Sequence, residues 1–245
     1  MSTVSLRPQK TAMLVAKRIV ADIQRRGNTV GDRLPPERVM LEEYSIGRGT
    51  LRESLRFLEL QGVIALRPGP GGGPVVQQPD GSGLATALTL LLQFESAPFR
   101  TIPEARAGLE PMMAQLAAAR MTDEQLAELK YSVDRMKSHL HDEAEFLEMN
   151  KRFHDIIAHG SGNAMFGYLV ESLLGMLDGS AIGIDYPEHR RLAVHKAHDS
   201  IYQAIVARDP KLAAAAMLEH ISQYQRYAES KFPELLDAPI SWTAQ

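Results

Sequence analysis

The sequence predicts a mainly α-helical protein that is divided into two domains of opposite charge. Only 6% of its 245 residues are aromatic, and segments rich in Ala, Leu, Glu and Arg, which favour helices, dominate the second half. Residues 1–76 contain 12 Lys and Arg against 7 Asp and Glu, a net charge of +5, whereas residues 77–245 contain 15 against 23, a net charge of −8. This asymmetry indicates that the first domain binds a polyanion and the second does not.

What the chain lacks excludes several classes of protein. It contains no cysteine, which removes disulfides, thiol catalysis and cysteine-ligated zinc sites. The N-terminus has no apolar segment of the kind found in secretion signals. The longest apolar stretch, residues 84–94, is about half of the ~20 residues that a membrane-spanning helix needs. We therefore expect a cytoplasmic protein that has no membrane partner.

Three helices followed by a hairpin are predicted in the first domain. Apolar residues at helical spacing predict the first helix over about residues 8–26. Pro35-Pro36-Glu37 is a favourable start for a short second helix that ends near Tyr44, and a third begins around Gly47. Residues 63–66 and 74–76 are predicted as two strands joined by a Gly/Pro-rich turn. This order is that of a winged helix-turn-helix, in which one helix enters the major groove of DNA.

An arginine stripe runs along the third helix. Arg48, Arg52 and Arg56 are spaced four residues apart, on a different face from the leucines that point inward. Arginine pairs bidentately with guanine or with phosphate, so the stripe suits a DNA-binding face. The alternative is a solvated face shared with Glu53 and Glu59, and spacing alone does not decide between the two.

Three motifs in this domain resemble the DNA-binding domain of the GntR family. They are GDRLPPER at residues 31–38, IGRGTLRESL at 46–55 and LELQGVI at 58–64, and the resemblance covers about residues 8–76. Gly47 stands where the family usually has a Ser or Thr cap, and the wing is unusually rich in glycine. The resemblance implies that the chain binds double-stranded operator DNA, and the implied contact residues are Arg38, Arg48, Thr50, Arg52, Gly69 and Gly71.

Seven helices and no convincing strand are predicted after a linker at residues 77–83. An antiparallel helical bundle is therefore expected over residues 84–232, followed by a C-terminal tail at 233–245. Thr122 and Gln125 have the spacing of a capping box, and Asn163 is expected to cap the fifth helix. The helices are predicted at about 84–94, 101–120, from 122, 142–158, from 163 to a weak end near 179–183, 190–208 and 210–231.

Polar residues on helix faces of this bundle are candidates for a metal site. Asn150 and His154 lie four residues apart, His195 and His198 lie three apart, and His220 lies on the last long helix. Three imidazoles and one oxygen would suit Zn²⁺, Ni²⁺ or a related divalent ion. From spacing alone, however, each histidine is more readily interpreted as a hydrogen-bonded core or surface residue.

Four further motifs resemble the FCD effector domain of FadR-type GntR regulators. They are RAGLEP at residues 106–111, NKRFH at 150–154, GSGN at 160–163, and His198 together with Glu219-His220. The resemblance implies that Asn150, His154, His198 and His220 hold a divalent metal, and that Arg106 anchors the carboxylate of a small organic acid effector. Aspartate is the commoner first ligand, and the neutral oxygen of Asn150 is expected to bind more weakly. His195 would be an outer partner of a ligand or a simple neighbour.

For Arg106 the alternative to an effector anchor is an ordinary ion pair with Glu110, one helical turn away. The spacing of the two residues fits both roles. The motifs alone therefore leave this choice open.

These motifs together predict a homodimeric, ligand-responsive transcriptional regulator, a repressor that a small carboxylate releases from its operator, and not an enzyme. A histidine-ligated metalloenzyme is one alternative, but the chain has no His-Glu-x-x-His, no Gly-x-Ser-x-Gly and no Walker-type phosphate loop. A metal-free helical dimerisation module with structural histidines is the other.

Overall fold

The computed structural model describes residues 7–69, 71–177 and 186–242. The chain divides into two compact units, Met1–Gly83 and Leu84–Gln245. None of the helices within the described ranges is long and apolar enough to cross a membrane.

The first unit has three helices and a two-stranded antiparallel hairpin, which confirms the winged helix-turn-helix predicted from the sequence. In the hairpin Ile64 lies opposite Val76, and Arg67 lies opposite Gly73. The elements are α1 (Arg7–Arg26), α2 (Glu37–Tyr44), α3 (Arg48–Leu60), β1 (Ile64–Arg67) and β2 (Gly73–Val76).

Helix α3 is fixed in place by its apolar face and by one buried hydroxyl. Leu51 and Leu55 are fully buried against the core that α1 and α2 also line. Ser54 donates its hydroxyl to the backbone oxygens of Ala12 in α1, at 2.9 Å, and of Thr50, at 2.8 Å. The opposite face of α3, which carries the arginine stripe, therefore remains in solvent.

The second unit is helical throughout its described elements, as predicted. The predicted capping box is present, with the Gln125 amide donating to Thr122 Oγ1 at 3.3 Å and the Thr122 amide donating to Gln125 Oε1 at 3.0 Å. Asn163 caps its helix as expected. The elements are α4 (Ser82–Phe94), α5 (Thr101–Arg120), α6 (Asp123–Ser138), α7 (Glu143–Gly160), α8 (Ala164–Met176), α9 (Glu188–Val206), α10 (Pro210–Lys231) and α11 (Pro233–Asp237).

Two features differ from the sequence-based description of this unit. Helix α4 begins at Ser82, inside the expected linker, and the short helix α11 lies in the segment expected to be a tail. The tail region is packed because Leu236 and Ile240 are buried, and because the Ile240 amide donates to the Ala97 oxygen at 2.9 Å. The expected end of the fifth helix near 179–183 lies outside the described residues.

Helices α5, α7, α9 and α10 pack together around the main core of the second unit. Each contributes charged or polar side chains to the interior. These buried polar residues form the second candidate site described below.

Candidate DNA-binding surface and metal centre

The arginines predicted to contact DNA are exposed on the first unit. The Arg38 side chain is 81% exposed and pairs with Glu42 at 3.0 Å, while the Arg52 side chain is 69% exposed and its Nε lies 3.9 Å from Glu37 Oε2. Exposed pairs of this kind contribute about 0–1 kcal/mol. Both guanidinium groups can therefore exchange their carboxylate partners for phosphate at little cost.

The start of α3 adds backbone donors to this surface. Arg48 is exposed in the first turn and Thr50 is half-buried. Gly47 is the N-cap residue and provides no side-chain hydrogen bond, in agreement with the departure noted in the sequence. The first amides of α3 lack helical acceptors, which makes this helix end a favourable place for a phosphate.

The wing is held by an arginine that sequence reasoning did not assign. Arg33 Nη1 donates to the backbone oxygen of Gly71, and residue 33 also pairs with Val75 as an isolated bridge. Gly69 and Gly71 are exposed and have φ angles of 92° and 77°, which side-chain-bearing residues rarely adopt. Arg33 lies within the GDRLPPER motif, but no local spacing signal indicates its contact with the wing.

Three of the four residues predicted as metal ligands meet in the core of the second unit. His220 Nε2 lies 3.1 Å from His198 Nε2 and 3.3 Å from His154 Nε2. All three side chains are buried, and one ring nitrogen from each falls within 4.8 Å of the others. Helices α7, α9 and α10 thus converge on a single point through their imidazoles.

A buried carboxylate sets the orientation of His154. Glu110 Oε2 lies 2.6 Å from His154 Nδ1, so a proton on Nδ1 is donated to the carboxylate. In the neutral imidazole this leaves Nε2 as an unprotonated acceptor that faces the other two rings. Carboxylate–histidine pairs of this kind commonly orient metal-binding histidines.

Arg106 completes this polar group. Its Nε donates to Glu110 Oε1, and its Nη2 lies 3.4 Å from both ring nitrogens of His154. The ion pair with Glu110, which the sequence offered as the alternative for Arg106, is therefore present and buried. The contact between Glu110 and His154 was not predicted from the sequence, because only the packing of α5 on α7 brings these two residues together.

Burial controls the protonation of this cluster. Desolvation, reinforced by the neighbouring positive charges, holds the pKa values of His198 and His220 well below the ordinary 6.5. Desolvation also lowers the pKa of His154, although Glu110 opposes the shift. Burial disfavours the charged form of Glu110, but Arg106 and His154 outweigh it and lower the pKa of that carboxyl. The cluster therefore presents neutral imidazoles and one ionised carboxylate at neutral pH.

Neighbouring side chains limit how far the rings can move. The His198 ring stacks on Phe153, with centroids 3.8 Å apart and planes 11° from parallel. Phe153 also meets the His154 ring edge to face at 5.6 Å. A buried aromatic side chain thus fixes two of the three imidazoles.

Asn150 and His195, the other two candidates from the sequence, are less buried than the three histidines. Asn150 is half-buried on α7, one turn before His154, and is thus on the same helix face. His195 is half-buried on α9 and is not among the three histidines that converge.

Comparisons with known proteins agree with both halves of this description. The profile of the bacterial regulatory proteins of the gntR family matches residues 11–72, and the FCD domain profile matches residues 101–223. The chain belongs to the gntR family of bacterial regulatory proteins. Its first unit is the family's DNA-binding domain, and the protein is a transcriptional regulator.

Individual relatives cover most of this regulator. It is 30% identical to the HTH-type transcriptional regulator YcbG of Bacillus subtilis, over 86% of each chain. It is 27% identical to the HTH-type transcriptional repressor NanR of Cronobacter sakazakii, over 87% of this chain and 84% of that protein. The solved structure of Streptococcus agalactiae GntR has a TM-score of 0.68 at 28% identity, and covers 88% of this chain and 99% of its own.

Proposed function

We propose that this regulator is a homodimeric repressor that leaves its operator when a small organic acid binds beside a divalent metal. The observation that carries the proposal is the buried group of three histidines and Glu110 in a unit tethered to a DNA-binding domain. We assign DNA binding to residues 1–76, and effector binding and dimerisation to residues 84–232. As a DNA-binding protein of bacterial type, it would act in the cytoplasm.

The donor set fits a divalent metal. Three neutral imidazoles on three packed helices offer Nε2 atoms to one point, and a carboxylate holds one of them in the required tautomer. Asn150 supplies the fourth donor in this proposal. Imidazole-rich sites of this kind suit Zn²⁺ or Ni²⁺, and a metal bound there would supply coordination positions for a carboxylate.

The same contacts favour binding over catalysis. The Glu110 carboxylate is engaged by Arg106 and His154, so it is not free to act as a general base. Arg106 uses its Nε for Glu110 and retains further donors, with which we propose that it contacts the effector carboxylate.

Exposed apolar residues on α4 support a dimer. Leu84, Leu91 and Phe94 follow one another at helical spacing, and Phe94 is 87% exposed. Large apolar side chains that share an exposed helix face usually mark an interface. A second copy would bring two recognition helices to successive major-groove half-sites about 34 Å apart.

An effector screen tests the proposal directly. The metal-loaded protein is screened against small organic acids by thermal shift, and hits are titrated calorimetrically with and without a duplex selected from a random library. Because linkage is reciprocal, an acid that weakens DNA binding must itself bind more weakly, by the same factor, to the DNA-bound protein. An acid that binds equally well in both states would contradict the proposed release.

A further inference from the structure

Arg190, in the first turn of α9, is a half-buried cation that has no carboxylate partner among the described residues. Its Nε is buried and has no hydrogen-bond partner there. Its guanidinium carbon lies 4.6 Å from the centroid of the Tyr227 ring. Desolvation lowers the pKa of Arg190, and the described groups whose charges oppose that shift are tyrosines, not carboxylates.

Two other arginines of this unit, Arg106 and Arg191, have hydrogen-bond and ion-pair partners. Arg106 is paired with Glu110. Arg191 donates to the backbone oxygens of Leu140 and Tyr186 and lies 3.5 Å from Glu143. A buried polar atom without a hydrogen bond is costly. The buried Nε of Arg190 has no such bond among the described residues, so an anionic acceptor beside it would be favourable.

Helix geometry places Arg190 on the same side of the unit as the histidine centre. Arg190 precedes His198 by eight residues on α9, about 12 Å along the helix. On α10, Tyr224 and Tyr227 follow His220 by one and two turns. The contact between Arg190 and Tyr227 shows that these two helix segments face each other.

Arg190 and Arg106 also interact electrostatically with some of the same residues. The charge of Arg190 acts on His220. The charges of both Arg106 and Arg190 act on the half-buried Tyr186 and on the buried Tyr224. Arg106 and Arg190 are therefore near enough to the same two tyrosines to interact with both of them electrostatically.

We propose that Arg190 binds a second acidic group of the effector, so that the effector is a dicarboxylic acid or a comparable dianion. This inference rests on the proposed function, in which one carboxylate binds beside the histidines and Arg106. Glu110 already balances the charge of Arg106. A monoacid at the histidine centre would therefore leave Arg190 without an anion, whereas a diacid would place one carboxylate beside Arg106 and the other beside Arg190.

The test compares acids that differ by one charge. Succinate, glutarate and adipate are each titrated into the metal-loaded full-length protein beside their monoamides, which keep the shape and remove one carboxylate. At least one diacid should bind roughly tenfold or more tightly than its monoamide, as expected for a charge-assisted pair. In Arg190→Gln this preference should disappear.

Arg152→Gln is the matched control, because Arg152 lies over the Tyr131 ring at 5.7 Å on the exposed face of α7. It removes an arginine–aromatic contact outside the site and should leave the diacid preference intact. The inference is overturned if no diacid is preferred over its monoamide, or if the preference survives in Arg190→Gln.

A stability measurement tests whether Arg190 already forms an ion pair with a carboxylate of its own chain. If Arg190 has no such ion pair, the melting temperature of ligand-free Arg190→Gln should be no lower than that of ligand-free Arg152→Gln. A clearly lower melting temperature would overturn the inference. Monoamides that bind as well as diacids and release DNA would leave the proposed function standing without its second anion, whereas failure of every acid to bind would remove both.

Discussion

Arg48 and Arg52 are exposed to water on the first unit, whereas in the second unit Arg106 is buried and Arg190 is half-buried with a buried Nε. The exposed arginines have only weak surface partners. The structure of the free protein therefore does not specify which DNA groups they contact. Buried charges are different, because each must be compensated or it destabilises the fold. The buried site therefore constrains its ligand more narrowly than the DNA-binding surface constrains its DNA.

The two regions also differ in the groups that titrate. All eight histidines of the chain lie at or beyond His139, so the first unit contains none. Three of the eight are held neutral in the core of the second unit. Salt should thus change mainly the DNA affinity of the first unit. Protons and metal ions should change mainly the stability of the second unit.

The largest expected difference is the response to salt. DNA binding through exposed arginines releases counterions, and a dimer with six to ten phosphate contacts would lose about 10³–10⁵ in affinity between roughly 50 and 200 mM salt. Binding of metal at the buried histidines should change far less over the same range. Fluorescence anisotropy with the selected duplex measures the first, and calorimetry the second. Equal salt responses would remove the distinction between the two regions.

Metal removal should destabilise the second unit. A metal that binds only the folded protein adds about 2.7 kcal/mol to the free energy of unfolding at a concentration of ~100 Kd. Urea unfolding, followed through the fluorescence of Trp242, the single tryptophan, should shift on chelation by this order.

Two variants make the chelation experiment specific. His154→Ala should abolish the difference between chelated and metal-loaded protein. His141→Ala removes an exposed histidine that pairs with Glu188 on the surface, and should retain the difference. A chelator-insensitive wild-type protein that carries no stoichiometric metal would show that the three histidines have a structural role.

Substitution of the exposed arginines should weaken DNA binding with little effect on the fold. Arg48→Ala and Arg52→Ala should each cost about 1–3 kcal/mol of operator binding if the side chain reads a base. Arg25→Ala, which removes an exposed arginine paired with Asp22 on α1, is the control and should bind nearly as the wild type does. Unchanged affinity in both α3 variants would contradict the assignment of α3 as the recognition helix.

A loss of stability of the metal-free protein is also expected in mild acid. The pKa values of His154, His198 and His220 are lower in the folded state than the ordinary 6.5. Below about pH 6.5 the unfolded chain therefore binds more protons than the folded chain, and the free energy of unfolding falls as the pH falls. Urea midpoints of the chelated protein, read from Trp242 between neutral pH and about pH 5, should decrease. A midpoint that rises or stays constant would contradict the burial of neutral imidazoles.

The sequence predicted those features that depend on local spacing. The helices follow from apolar periodicity and caps such as Thr122 and Asn163, and the hairpin follows from its Gly/Pro-rich turn. The convergence of His154, His198 and His220 was implied only by the family resemblance. Local sequence spacing does not indicate that residues on three different helices lie close together.

The features that sequence reasoning missed depend on tertiary contacts. Helix α11 is too short to be indicated by periodicity and is held by the burial of Leu236. The contact of Arg33 with the wing joins residues 38 positions apart. Arg190 could not be singled out from the sequence, because a buried Nε that has no hydrogen-bond partner among the described residues is a property of its tertiary surroundings.

The coupling between the two regions is tested most directly by one titration. Operator affinity of the metal-loaded protein is measured by anisotropy with and without the acid that binds most tightly, in the wild type and in His154→Ala. The wild type should lose roughly 5- to 150-fold in affinity when the acid is present, which corresponds to a typical coupling of ~1–3 kcal/mol, and His154→Ala should lose almost none. An operator affinity that the acid leaves unchanged in the wild type, or weakens equally in His154→Ala, would show that the buried histidines do not control DNA binding.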